Sequence, residues 1–365
     1  MDFLILAFFV SLLATLALVR YQHLHHHFSG DSDLSGPQKF HSHSVPRIGG
    51  IGIFLAILVA GAVASGFFKL ERGLLLLQLT CCALPAFLVG LIEDVTKKIG
   101  VKSRLFATAI SALLAGYFLK VWVVDVDIST IDWLLSFSLL SIIFTVIAIT
   151  GLANAYNIID GFNGLASMVA MISLLAIGYV AFKTNDAPLA NTCLIMIGAI
   201  SGFFIWNYPR GLIFLGDGGA YLIGFSVATL SILLVNRNPS VSPWFVLLVN
   251  AYPIFETLFT IWRRKVHQGK NPGLPDGAHF HSLIYRRIIR WAEAHDTNET
   301  ASYAKNAKTS PYLWLLSTLG IFPAIIWWET TWVLQCFVLL FCVSYVWAYN
   351  AVVKFKTPKI IKWLK

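Results

Sequence analysis

Eleven apolar runs constrain this chain more than any other feature. They lie at about 3–19, 48–68, 73–92, 105–124, 133–153, 164–182, 189–207, 212–235, 241–262, 311–328 and 331–353. A helix needs about 20 mostly apolar residues to cross the hydrocarbon of a bilayer. Burying all of these runs inside a soluble protein would require a charged surface, and the sequence has little: 12% of the 365 residues are charged and 57% are apolar, against about 25% charged in ordinary soluble domains. The expected fold class is therefore all-α, a polytopic integral membrane protein with about eleven transmembrane helices in a single domain over residues 1–365. A soluble enzyme, a disordered tail protein and a disulfide scaffold are excluded. The first run is preceded by Asp2 rather than a basic residue and has no small-residue cleavage site after it, so it reads as a retained span. Cys81, Cys82, Cys193, Cys336 and Cys342 all lie in apolar runs without metal-ligand spacing and read as inert small hydrophobes.

Charge placement sets an orientation. With the N-terminus outside and sides alternating, 22 of 27 Lys and Arg and 11 of 18 Asp and Glu fall on the inner side. Excess Lys and Arg marks cytoplasmic loops. The C-terminus is then cytoplasmic, as are a loop at about 263–310 and a basic tail at about 354–365. The net charge of +9 reads as topology and headgroup contact, worth about 1 kcal/mol per cation near the surface, and no nucleic-acid partner is expected. His23, His25, His26 and His27 read as a solvated stretch rather than a metal site.

Polar residues gather on the inner side. Outer connections such as Lys183-Thr184-Asn185-Asp186 are plain, whereas inner ones carry Glu93-Asp94 with Lys97, then Asn154 to Gly164, Gly216-Asp217-Gly218-Gly219, and Pro275 to His281. An acid at membrane depth costs about 2.5–3.5 kcal/mol on insertion scales, which makes it a functional candidate by default. Hard oxygen ligands at several helix ends suit Mg²⁺, held by one or two carboxylates plus substrate phosphates. Lys97 is placed to neutralise phosphate oxygens, and glycines around Asp217 let backbone N–H groups approach an anion. Arg263, Arg264 and Lys265 are placed to hold a soluble, negatively charged partner. Taken singly, each has a plain structural account: Glu93-Asp94 as a helix-end pair, the Gly-rich turn as close helix packing, His279 and His281 as a structural pair. Four such segments on one side point to phosphate chemistry at the cytoplasmic face of a membrane.

Residues from about Asp33 to Leu283 resemble the polyprenyl-phosphate N-acetylhexosamine-1-phosphate transferases, in their simple-sugar branch. The resemblance rests on Asn-x-x-Asn-x-x-Asp-Gly-x-Asn-Gly-Leu at 154–165 and on Pro-Asp-x-x-His-x-His at 275–281 following Pro253-Ile254-Phe255-Glu256-Thr257. Val45-Pro46-Arg47-Ile48-Gly49-Gly50 adds to it. Three positions depart from the family pattern: Glu93 for the usual Asp, Asn163 for a second Asp of the central motif, and Ser282 for a further His.

The resemblance implies transfer of an N-acetylated amino-sugar 1-phosphate from a UDP-sugar to polyprenyl (undecaprenyl) phosphate, releasing UMP. It implies Mg²⁺, with Mn²⁺ as an alternative, and a place in the bacterial inner membrane with the site on the cytoplasmic face. Some members dimerise, so a homodimer is a further expectation. By position, Glu93, Asp94, Asp160 and Lys97 are the catalytic candidates. Asn157, Asn163, His279, His281 and Arg47 are the substrate contacts, and Asp217 with Asn157 the metal ligands. The last two spans match only as generic helices. The alternative of a different class is a secondary transporter using the same inner acids. Transporters, however, tend to place their sites near the midplane, on broken helices repeated in two halves.

Overall fold

The computed structural model describes residues 2–30, 45–66, 71–269, 276–289 and 306–354. Lys39, Pro275, much of the 263–310 loop and the tail beyond Lys354 lie outside them. Each of the eleven apolar runs contains helix, and among the described residues there is no strand, only one isolated bridge between Gly30 and Pro46. In chain order the helices are α1 (Asp2–Arg20), α2 (Gln22–Ser29), α3 (Gly50–Gly66), α4 (Glu71–Thr96), α5 (Val101–Leu119), α6 (Ser129–Leu135), α7 (Ser138–Ile159) and α8 (Leu165–Lys183). They continue as α9 (Ala187–Asn207), α10 (Gly216–Arg237), α11 (Pro243–Val249), α12 (Ala251–Trp262, extended by a π-helical turn Arg263–His267), α13 (Phe280–Ile284), α14 (Ser310–Ile326) and α15 (Thr331–Val353). The fold is a polytopic helical membrane protein. Seven helices are long and apolar enough to cross a membrane, or eight with the bent pair α11–α12. Two more apolar helices, α3 and α14, have 17 residues each. Lys102 and Arg104 in the first turn of α5 dilute that span.

α10 is the axis. Every residue from Gly216 to Leu234 is buried, as expected of a helix apolar all round and enclosed by others. It packs against α3, α4, α5, α7 and α8. The approach to α4 is backbone to backbone: a Cβ on Gly90 would lie 2.5 Å from Gly218 N, and one on Gly218 would lie 2.9 Å from Leu91 N. Small residues permit this contact where no hydrophobic force drives membrane helices together.

One expected span is broken. α11 and α12 meet at 75°, and the local sequence explains it. Pro253 has no N–H to give to Val249 O, which accepts from Ser173 Oγ at 3.3 Å instead. Asn250 fills the break, donating to Val246 O at 3.0 Å and accepting from Tyr156 Oη at 3.3 Å.

The two ends of the bundle are chemically distinct. Segments expected outside meet one another: Asp127 accepts from Ser242 Oγ at 3.3 Å and from Thr331, Arg237 pairs with Asp186 at 3.4 Å, and Asn236 donates to Trp122 O at 2.9 Å. Segments expected inside meet at the opposite ends of the same helices.

The α4–α10 contact predicts that Gly218→Ala loses about 1–3 kcal/mol through overpacking against backbone that cannot yield. Gly151, with nothing within 4 Å of a Cβ, is the control: Gly151→Ala gains helix propensity and does not melt earlier. Thermal unfolding in detergent separates the two, and a G218A protein melting like wild type would mean the backbones are not in contact.

Candidate active site

The inner end of α10 is built around a cap from another helix. The first N–H groups of a helix have no intrahelical partner, and here Asp94, near the end of α4, supplies both acceptors. Its Oδ1 takes Asp217 N at 2.8 Å and its Oδ2 takes Gly218 N at 2.9 Å. Asp94 is 1% exposed, so these charge-assisted bonds, together with the positive end of the helix, offset its burial. Gly216 has φ +76° and lies so close to Arg47 O and the Asp94 carboxylate that no side chain fits.

Residues 46–50 strap this end. Phe214 N donates to Pro46 O at 2.8 Å, while Gly49 N and Gly50 N donate to Phe214 O and Leu215 O at 3.0 Å each. A Cβ on Gly50 would meet Gly219 Cα at 2.4 Å, which explains the Gly pair after Arg47-Ile48. The strap delivers Arg47, whose guanidinium lies 3.4 Å from Asp217 Oδ1 and 3.9 Å from Asp94 Oδ1. Asn157, in the last turn of α7, donates to Asp217 Oδ1 at 3.0 Å. Arg104, from the first turn of α5, pairs with Asp217 Oδ2. Asp160 caps α7 next to this group. Although part of its surface is open, packing around its carboxyl raises its pKa from 3.8 to about 7, against the pull of Arg47.

A second cluster adjoins the 160–162 turn. His279 Nδ1 lies 3.0 Å from Glu256 Oε1, and its ring is stacked on His281 at 5.2 Å between centroids. His281 Nε2 lies so near Gly161 that a Cβ there would sit 3.2 Å away, and Phe162 meets the His281 ring edge-on at 5.5 Å. Burial and the neighbouring His279 hold His281 down at about 3, so it acts as a neutral imidazole. Its Nδ1 and Ser282 Oγ are buried without a hydrogen-bond partner, a cost of about 1–3 kcal/mol each that a bound ligand or water relieves. Asp276 is held below the usual carboxylate range: burial would raise it, but Arg263 and the Ala278 N–H more than compensate.

A model of glycosyl transferase family 4 matches residues 76–235, which hold Asp94, Arg104, Asn157, Asp160 and Asp217. A probable undecaprenyl-phosphate N-acetylglucosaminyl 1-phosphate transferase of Bacillus subtilis (strain 168) is 27% identical over 326 residues, covering 89% of this chain and 86% of its own. The undecaprenyl-phosphate alpha-N-acetylglucosaminyl 1-phosphate transferase of Thermotoga maritima is 29% identical over 259 residues, covering 71% and 74%. The enzyme of that name from Escherichia coli (strain K12) is 27% identical over 254 residues, covering 68% and 67%. Over residues 76–235 the chain is similar to glycosyl transferase family 4.

Against the expectations from sequence, the structure brings Arg47, Asp94, Asn157 and Asp217 into one group, with Asp160 beside it and His281 against the same turn. Three expected residues are engaged elsewhere. Glu93 Oε2 accepts from Ile99 N at 2.6 Å and shapes the turn after α4. Lys97 is exposed, with φ 55°, and donates to Gly30 O at 3.0 Å. Asn163 donates to Pro209 O at 3.1 Å, and its backbone is held by Asn306 and Ser310. Sequence reasoning missed Arg104, which it counted as a topology charge. The available signal was a cation inside the first turn of a span rather than in a loop. It also gave Glu256 no role, although that acid interrupts an apolar run.

The raised Asp160 carboxyl predicts a pH dependence. Below about pH 4 the group is protonated in both folded and unfolded chains. Between about pH 4 and 7 only the unfolded chain releases the proton, so this contribution to stability declines as pH rises. In melting curves at pH 5, 6, 7 and 8, Asp160→Asn should gain on wild type up to about pH 7 and then hold a constant difference. A difference already constant from pH 5 would show that Asp160 titrates as an ordinary carboxyl.

Proposed function

We propose that the protein transfers N-acetylated amino-sugar 1-phosphate from a UDP-sugar to undecaprenyl phosphate, at the cytoplasmic face of a bacterial inner membrane. One observation carries the reading. An apolar cavity of about 920 Å³ runs the depth of the bundle between α5, α7, α10 and the bent α11–α12 pair. At the inner end it is lined by Asn154, Ala155 and Thr257, and at the outer end by Asp125, Asn236 and Trp244. The apolar wall therefore finishes on the same stretch of α7 that carries Asn157 and Asp160. A long isoprenoid lying in it brings its phosphate to the charged group while its tail stays in hydrocarbon. The N-acetylglucosaminyl names of the relatives make UDP-N-acetylglucosamine the first donor to test.

The lipid phosphate attacks the β-phosphorus of the donor. A bond forms from its oxygen to that phosphorus, the pyrophosphate bridge breaks, and UMP leaves with the electron pair. A phosphate monoester has a second pKa of about 6, so the acceptor is largely dianionic at neutral pH and needs little help in losing a proton. Arg47 and Arg104 hold phosphate charge, Asn157 and Asp160 align the acceptor, and Asp94 fixes the end of α10. Because both Asp94 oxygens accept backbone N–H bonds, direct attack is better supported than a covalent aspartyl intermediate. His279 and His281 contact the donor.

The donor set fits Mg²⁺ as a partly built site. Asp217 and Asn157 would hold it with hard oxygens, and substrate phosphates would complete the shell, as is usual for this ion. No group of three or more His, Cys, Asp or Glu side chains forms a self-sufficient cage among the described residues. When bound, the ion supplies Lewis-acid polarisation and charge neutralisation at the pyrophosphate.

The same reading has eleven crossings, the N-terminus outside and the C-terminus in the cytoplasm. It is supported by the separate meeting of outer and inner segments at opposite ends of the bundle. For a transporter, a broken helix should have a counterpart in the other half, and the bent α11–α12 pair has none among the described residues.

The decisive assay uses purified protein, undecaprenyl phosphate, Mg²⁺ and a panel of radiolabelled UDP-sugars. UMP release with label moving into the organic phase is expected, and no transfer from any donor would defeat the proposal. Asp217→Ala should lower turnover at least about 10²-fold, the scale of losing one charge-stabilising group. Full Mg²⁺-dependent activity in that variant would remove Asp217 from the metal site. Ala228→Trp, filling the cavity, should raise KM for the lipid and leave KM for the UDP-sugar unchanged.

A further inference from the structure

The last helix, α15, has only 17% of its most apolar window buried, and it has the composition of a plain anchor. Two of its hydroxyls nevertheless reach the histidine segment. Tyr345 Oη donates to Glu256 Oε2 at 2.5 Å, and Tyr349 Oη donates to Ala278 O at 3.1 Å. They are one turn apart and so share a helix face. Glu256 is fully buried on α12 and accepts three hydrogen bonds: from Tyr345, from His279 Nδ1 at 3.0 Å and from Phe280 N at 3.1 Å. These donors come from α15, from an imidazole and from the backbone beside it. A carboxylate at this depth is expensive beside a well-packed apolar residue, and here its bonding is divided between the ring of His279, the backbone beside that ring and Tyr345.

We propose that Tyr345 and Glu256 are a positioning pair that fixes the tautomer and orientation of His279, whose ring stacks on the His281 that faces the 160–162 turn, making the C-terminal span part of the catalytic apparatus. This rests on the transferase reading. An ionised carboxylate only accepts, so the His279 nitrogen facing Glu256 must carry its proton. Nε2 is then the nitrogen left to accept a hydrogen bond or take up a proton, and once protonated it donates to a phosphate oxygen, as in other carboxylate-oriented histidines. The stacked rings of His279 and His281, with planes 10° apart, pass this orientation to the imidazole that touches Gly161. Tyr345 sets the other end of the arrangement: its O–H occupies the second Glu256 oxygen, and its ring packs edge-on against Phe255 at 4.9 Å and Phe280 at 5.3 Å.

The test is a double-mutant cycle on the full chain, using Tyr345→Phe, His279→Ala and the pair, with kcat and KM measured for donor and lipid. Tyr345→Phe removes one oxygen and no packing. It should lower kcat/KM for the UDP-sugar about 10–100-fold, the usual cost of losing an orienting partner, and leave KM for the lipid unchanged. In the His279→Ala background it should cost less than about twofold, because residues acting through one another are not additive. An undiminished effect in that background, or wild-type kinetics for Tyr345→Phe alone, overturns the proposal. A readout independent of turnover is the ¹⁵N spectrum of histidine-labelled protein. The resonance lost in His279→Ala should show an Nδ1–H tautomer that changes in Glu256→Gln, and an Nε2–H tautomer in wild type overturns the proposal equally. Should wild type transfer from no donor, the transferase reading fails, while the tautomer measurement still decides whether Glu256 sets the ring.

Discussion

The interaction on which the rest of the site depends is the cap that Asp94 places on α10. Helix N-termini are usually satisfied by a side chain a few residues away. Here the acceptor comes from a helix 123 residues earlier, and both of its oxygens are used. The bond therefore does two things at once. It satisfies backbone donors that a buried helix start leaves open, and it sets where α4 lies along α10. Gly90 and Gly218 let the two backbones close to contact, Gly216 adopts the left-handed conformation that turns the chain into α10, and the strap at 46–50 lies over the result. Asp217 then has little freedom, because its own N–H is one of the two that Asp94 holds.

Charge balance follows from that geometry. Two acids, Asp94 and Asp217, face two guanidiniums, Arg47 and Arg104, in a space from which water is largely excluded. Buried charges are tolerable when paired and hydrogen-bonded, and the four offset one another. Asp160, with its carboxyl lifted to about 7, adds only part of a charge near neutral pH. A near-neutral cluster has weak attraction for a lone polyanion and for a lone dication. Under the transferase reading it takes the two together, with the phosphates drawing the guanidiniums while the ion takes the Asp217 and Asn157 oxygens. Under the same reading the cations expected on the inner side raise the local concentration of an anionic donor, and the cluster itself contributes little to that field.

Much of this was legible in the sequence because it is local. Apolar runs are recognisable wherever they occur, and each of the eleven carries helix. Asp94, Asn157, Asp160 and Asp217 stand out as acids and amides at the inner ends of spans, where each costs energy unless used. What the sequence hid is what depends on distant partners. Glu93 and Lys97 sit beside Asp94 along the chain, yet a helix points neighbours in different directions, and they serve the 97–99 turn and Gly30. Arg104 looks like any positive-inside residue until α5 is packed against α10. The break at Asn250 lies in a run apolar enough to cross unbroken, and Tyr156, Ser173 and Ser231 on other helices make it stable. Tyr345 could not be singled out among twelve tyrosines without knowing that Glu256 faces it.

That break ties the apolar cavity to the charged site. Tyr156 lies one residue before Asn157 on α7, and its hydroxyl meets Asn250 at the bend of α11–α12. One turn of α7 thus presents an amide to Asp217 and, on another face, a hydroxyl that holds the bend beside the apolar cavity. Beyond the bend, α12 carries Thr257 and Ile261 along the cavity wall and Glu256 to His279. A straight helix from Pro243 to His267 could not serve both. Its axis would either close the cavity or carry Glu256 away from the histidines. The 75° angle is therefore what lets a single helix pair line the apolar cavity and still reach the imidazoles beside the charged group.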